Sequence, residues 1–320
     1  MTVRICKSTD SGAPVISQTI GSIETLLDAV LVNGYGTREP LGWASHYRNV
    51  STGRKYYLQG TGSSGRILMI QDNAANAGCY SDFLAQVGLA HPAGEGMEPS
   101  AVVGLYASAG IERPDNFWEV IGDESFFYLL TGKNVWGGQY GLRSVFACGD
   151  IRGYAETDLG RALIASNARS ANGSRPVGQW CIPVSGTGFN AAISQGYGPM
   201  DLCGMPDSPG NCPSATLFRA LSCDLSAFNS HEYPGVARKV ISSPLMIGHI
   251  LQGSASPSLR GQLPGFRIPL HKVSAYHPPA FSTVQGESGK THLVVYSADS
   301  GQSGISEIPL LFEISDTWGS

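Results

Sequence analysis

Between Ser22 and Gly34 the apolar positions fall on one helical stripe. Ile23, Leu26, Leu27, Val30 and Leu31 follow the i, i+3, i+4, i+7, i+8 spacing of an amphipathic helix. Ser22 is placed to cap its first turn, where Glu24 suits the helix dipole, and Asn33-Gly34 ends it. The polar face carries Glu24, Thr25 and Asp28 rather than lysines. The stripe is therefore expected to pack on a sheet face, not on a membrane surface.

From Trp43 onward the pattern becomes short apolar or alternating runs bounded by Gly, Asn, Asp and Ser. This predicts strands over 44–49, 55–59, 67–71, 117–121, 125–130, 141–148, 216–222, 237–241, 245–252, 291–298 and 308–314. Gly122-Asp123-Glu124 predicts a tight hairpin. Within 141–148, Ser144, Phe146 and Cys148 share one face, and Val145 and Ala147 the other. At the end of the chain, Ile308, Leu310, Phe312 and Ile314 alternate with Pro309, Leu311, Glu313 and Ser315, as in a half-buried terminal strand. Pro92, Gly94, Gly96 and Pro99 predict an irregular loop, and residues 150–215 predict long loops. The expected fold is mainly β: β-sandwich-like, with many short antiparallel strands, one N-terminal amphipathic helix and long loops. A boundary near 150 divides the chain into 1–150, helix plus β-rich, and 151–320, loop-rich β; a single domain is the alternative.

Composition sharpens this picture. Charged residues make up 14% of the 320, while Gly stands at 41 and Pro at 19. An ordinary domain carries about a quarter charged residues. So few charges fit either a surface covered by neighbouring proteins or an all-β chain with Ser/Thr-rich outer faces. The net charge is −4 and no Lys/Arg run occurs, so no nucleic-acid surface is expected. No run approaches the roughly 20 apolar residues of a membrane helix, and MTVRICKSTDSGAPV lacks the apolar segment of a secretory signal. The expectation is a protein made in a cytoplasm, not exported by the usual route, with no membrane partner. The seven cysteines are widely spaced without C-x-x-C. Reduced thiols are favoured over zinc, although Cys203 and Cys212 could oxidise late.

The candidate chemistry is thin. Gly60, Gly62 and Gly65 spell G-x-G-x-x-G. In a dinucleotide-binding unit such a loop leads from a strand into a helix whose N-terminus holds pyrophosphate. Here Ile67-Leu68-Met69-Ile70-Gln71 reads as a second strand and stops at Asp72-Asn73, too early for that helix. Asp82 lies at a ribose-ligand offset, but the context predicts a hairpin. Val184-Ser185-Gly186-Thr187-Gly188 only half matches a nucleophile elbow. His46, His91, His231, His249, His271, His277 and His292 include no i, i+2 or i, i+4 pair. Asp150, Glu156 and Asp158 could supply a glycosidase pair, but a solvated loop is the plainer reading. No cofactor, metal or catalytic residue is assigned.

The most specific stretch is Leu259-Arg260-Gly261-Gln262-Leu263-Pro264-Gly265-Phe266-Arg267-Ile268-Pro269-Leu270-His271. Two prolines fix φ and Gly265 frees the backbone between them, which suggests a rigid, extended loop. This stretch resembles the R-G-x-L-P-G-x-x-x-P-L-H element of a family of uncharacterised tailed-bacteriophage virion proteins. Other parts resemble that family in order. They are Gly12-Ala13-Pro14-Val15, the helix ending D-A-x-L-V-N-G-Y-G, Trp43 with Tyr47-Arg48 and Arg54 to Leu58, Trp118 to Asp123 with Phe126-Phe127-Tyr128, and Phe146 to Ile151. An inserted β module common in the family is missing, because Gly34-Tyr35-Gly36 runs almost directly into Gly42-Trp43. The resemblance implies a non-enzymatic virion structural protein, assembled in the bacterial host cytoplasm. Its partners would be copies of itself, as a homo-oligomer, and other virion proteins. A tail, baseplate or fibre-adaptor position is expected first, a head-decoration or collar position second, and a virion glycan or cell-wall hydrolase third. The interface candidates are Arg260, Pro264, Gly265, Pro269 and His271.

Overall fold

The computed structural model describes residues 2–17, 19–73, 80–88, 103–105, 111–112, 117–136, 139–154, 162–166, 215–219, 240–249, 258–269, 281–296, 309–315 and 317–318. After strand β1 (Arg4–Lys7) comes helix α1 (Ser22–Leu27), which runs on into a wider π-helical turn over Asp28–Asn33. Ile23, Leu26, Leu27, Val30 and Leu31 are all fully buried, as the stripe predicts. The start differs from expectation. Gly21, at φ 93°, holds the capping position, and the Ser22 hydroxyl donates to the Ser17 carbonyl at 2.8 Å. At the far end the returning chain satisfies the last carbonyls: Leu41 N donates to Val30 O (2.8 Å) and Trp43 N to Leu31 O (3.0 Å).

The described strands form three antiparallel sheets. The first outer sheet has the order β2-β3-β4-β5-β6, from β2 (Ala44–Asn49), β3 (Arg54–Leu58), β4 (Ile67–Asn73), β5 (Tyr80–Gly88) and β6 (Val103–Leu105), with β7 (Ile111–Glu112) also on β5. The central sheet adds β8 (Trp118–Gly122), β9 (Phe126–Trp136), β10 (Gln139–Asp150) and β12 (Ala162–Ser166) to β1, in the order β1-β8-β9-β10-β12. The second outer sheet contains β13 (Ala215–Arg219), β14 (Ser242–His249), β15 (Ser258–Pro269), β16 (Thr283–Gln285), β17 (Thr291–Tyr296) and β18 (Pro309–Glu313). Its order is β13-β14-β15-β18-β17-β16, with β11 (Arg152–Gly153) also pairing β15.

The central sheet is filled on both faces. On one, Trp118, Val120, Phe127, Leu129, Phe146 and Cys148 pack with the helix and with Tyr57, Leu68 and Ile70. On the other, Ile121, Phe126, Tyr128, Leu130, Val145 and Ala147 pack with Leu245, Ile247, Phe266, Leu293, Leu310 and Phe312. This explains the unbroken apolar run Phe126-Phe127-Tyr128-Leu129-Leu130, since a strand buried on both faces needs no polar alternation. The predicted facing of Val145 to Cys148 holds. The second core joins residues on both sides of position 150.

Three readings change. The stretch expected as a rigid loop is β15, paired with β14, β18 and β11. The terminal strand β18 lies inside its sheet, between β15 and β17, with Leu310, Leu311, Phe312 and Glu313 all buried. Parts of 150–215, expected as long loops, are strands, namely β11 and β12, while the loop expected at Pro92 to Pro99 lies outside the described residues. Of the predicted strand 237–241 only Val240 and Ile241 are described; Val240 bridges Gly286. Cys6 and Cys148 are buried free thiols. Cys79, Cys181, Cys203, Cys212 and Cys223 lie outside the described residues, as do Glu156, Asp158 and the 184–188 stretch.

Candidate functional site

The G-x-G-x-x-G loop joins two antiparallel strands, β3 and β4, with Leu58 opposite Ile67. Gly62 (φ 91°) and Gly65 (φ 69°) supply left-handed turn positions. Gly60 serves close approach instead. A Cβ there would meet Glu124 Cβ at 2.6 Å and the Gly42 carbonyl at 2.7 Å, and its amide donates to Glu124 O at 2.8 Å. Gly60 lets this loop lie close against the central sheet, and the strand that follows leaves no helix N-terminus for a pyrophosphate.

What the loop reaches is Asp150, the last residue of β10. Ser64 donates its amide to Oδ2 and its hydroxyl to Oδ1, each at 2.6 Å. Gln59 Nε2 donates to Asp150 Oδ1 (3.1 Å) and to Ser125 O (2.8 Å), while Gln59 Oε1 accepts from Arg66 N (2.8 Å). The Asp150 amide donates to Ser125 O at 2.9 Å. Asp123 closes the neighbouring turn: its Oδ1 accepts from Ser125 N, Ser125 Oγ and Phe126 N at 2.8–3.0 Å. The Trp43 indole then donates to Asp123 O at 3.1 Å. Gln59, Asp123 and Asp150 are all buried.

Two Gly-Asp pairs thus end β8 and β10 on either side of β9, with Gly122 opposite Phe127 and Gly149 opposite Phe126. Gly149 (φ 135°) has no room for a side chain against Ser125. Each carboxylate accepts hydrogen bonds from its own chain. The arrangement is a clasp between two sheets, and a carboxylate held in this way is poorly placed to move protons to a substrate. Burial, with the Asp150 charge adding to it, pushes the nearby Cys148 thiol far up, so it stays protonated and inert.

The R-G-x-L-P-G stretch makes a second tie. On β15 the register slips: Pro244 pairs Arg267 while Met246 pairs Gln262, so Leu263 to Phe266 bulge from the β14 ladder, with Phe266 still opposite Phe312 on β18. The Pro264 carbonyl accepts the Tyr128 hydroxyl at 2.8 Å, deep between the sheets. Gly265 (φ 63°) lies against the Trp318 ring, whose Nε1 donates to Glu313 O at 2.8 Å. Tyr128, Phe266, Phe312 and Trp318 meet edge-on or tilted at 5.0–6.1 Å. Of the interface candidates, Pro264 is buried, Arg260 and Gly265 are half-buried, Pro269 ends β15, and His271 lies outside the described residues. The structure brings Pro264 and Gly265 together with the aromatic cluster.

Sequence reasoning singled out Asp150 and the glycines, and Tyr128 only as part of a resembling hairpin, but not Ser64, Gln59 or Trp318. The repeated Gly-Asp at two strand ends was the available signal. Among the described residues no group of three or more His, Cys, Asp or Glu side chains is placed to hold a metal ion. No helix among them is long and apolar enough to cross a membrane. No family model matches the chain, and no curated protein matches it.

Proposed function

We propose that this chain is a structural component of a tailed-bacteriophage virion, acting by assembly as a homo-oligomer at a tail, baseplate or fibre-adaptor position. One observation carries the reading. Of the motifs that resemble the virion family, Gly149-Asp150 and Leu263-Pro264-Gly265 tie neighbouring sheets together, and Asp123 closes the β8–β9 turn while its carbonyl accepts the Trp43 indole. Their polar atoms stiffen the fold, which is what a building block under mechanical and assembly stress requires. The low charge, 14% of residues, fits a surface largely covered by neighbours.

The test is a phage carrying a nonsense codon in this gene, grown with and without the protein supplied in trans. Without it, electron microscopy should show particles arrested before the tail is complete, and plaques should be lost. Complete, infectious particles would overturn the proposal. Headless or unfilled particles would move it to the head or collar.

A further inference from the structure

His292 is a buried titratable side chain, 1% exposed, on the outer face of the C-terminal sheet. Neither ring nitrogen has a hydrogen-bond partner among the described residues. The turn after β16 presses on the ring: a Cβ on Gly286 would lie 2.7 Å from Cε1 and 3.2 Å from Nδ1. The groups around it are set. Glu313, its register partner on β18, already holds Lys290 Nζ at 2.6 Å. Arg267 on β15 donates to Ser242 Oγ and O at 2.7 and 2.8 Å. The β16 side presents Val284 opposite the ring and no titratable residue, and Glu287 in the turn is exposed.

We propose that His292 is an acid-sensitive latch: protonating its ring releases the 286–290 turn and strand β16 from the sheet. The neutral imidazole fits this packed site. The imidazolium adds a second buried N–H donor and a positive charge beside Lys290 and Arg267, with the Glu313 carboxylate already paired to Lys290. β16 is a three-residue strand last in its sheet, tied on its outer side by Val240 (Val240 N to Gln285 O, 2.9 Å; Glu287 N to Val240 O, 3.2 Å), and the Gly286 N to Lys290 O bond (2.8 Å) closes its turn. Opening there costs less than unfolding the core. Release bares Val284, Val294 and Leu311, which now pack together.

Burial holds the His292 pKa below its ordinary 6.5; the Glu313 carboxylate opposes this most, and the Arg267 and Lys290 charges add to the lowering. The open form therefore binds the proton more readily. The closed turn is fully favoured above the ordinary value and loses stability as pH falls below it.

The experiment is amide hydrogen exchange on the full chain, corrected for intrinsic pH dependence and followed by mass spectrometry in peptides covering 283–296 and 118–130. Below about pH 6.5, protection of 283–296 should fall by up to about tenfold per pH unit. Peptides 118–130 should hold, and His292→Leu should flatten the response. His292→Gln serves as a second neutral replacement should the leucine disturb folding. Unchanged protection of 283–296 on acidification of the wild type, or the same loss in both variants, would overturn the proposal.

Discussion

Ser64 and Asp150 lie 86 residues apart in the chain, yet the Ser64 amide and hydroxyl both reach the Asp150 carboxylate at 2.6 Å. This double contact fastens the glycine loop of the first outer sheet to the end of a central strand. Removing the carboxylate takes away the partner of the Ser64 amide and one of the two partners of the buried Gln59 Nε2. Asp150→Ala should cost about 3 kcal/mol, and Ser64→Ala about 1–2 kcal/mol, by urea unfolding. An Asp150→Ala protein as stable as the parent would show that the clasp contributes nothing.

Gly265 and Trp318 make a second testable pair. A methyl at Gly265 enters the indole and strains a left-handed backbone position. Gly265→Ala should destabilise by about 2–4 kcal/mol and change the tryptophan emission. In a Trp318→Ala background the same substitution should cost clearly less, because only the backbone strain remains. Equal costs in both backgrounds would remove Trp318 from the explanation.

The Tyr128 hydroxyl donates to the Pro264 carbonyl at 2.8 Å. Tyr128→Phe keeps the ring contacts with Phe266 and Phe312 and should cost about 1–2 kcal/mol. A neutral result would mean that the bulge is held by its apolar contacts alone.

Much of this fold was legible because its local patterns agree with its packing. The helical stripe is buried residue for residue, and the strand expected over 44–49 is β2, Ala44–Asn49. The misreadings have physical causes. β15 contains Pro264, Gly265 and Pro269, which argue against a strand. The bulge removes Pro264 and Gly265 from the ladder, and Pro269 stands at the strand end. β1 is four residues long, too short to show a period. Asp150 was visible as an acid beside a strand end, but its partner Ser64 is set by how two sheets meet, which no local window contains.

Cys6 and Cys148 are both buried, and burial pushes both thiols above their ordinary values. Iodoacetamide applied to the native protein should therefore spare both, and modify both after denaturation, as read by peptide mass spectrometry. Rapid native labelling of Cys148 would mean that the central sheet opens far more often than its packing implies.

If the chain assembles through the Arg260–His271 region, Arg260→Ala and His271→Ala should impair particle assembly more than folding of the isolated chain. Infectious titre and thermal unfolding, measured together, separate the two effects. A normal titre with both changes would rule this region out as an interface.

Quantitative peptide mass spectrometry of purified phage particles decides whether this chain is part of the virion. A tail component should be present in fixed ratio to the known tail proteins, at a few to a few dozen copies. Absence of the chain from clean, infectious particles would rule out a place in the virion.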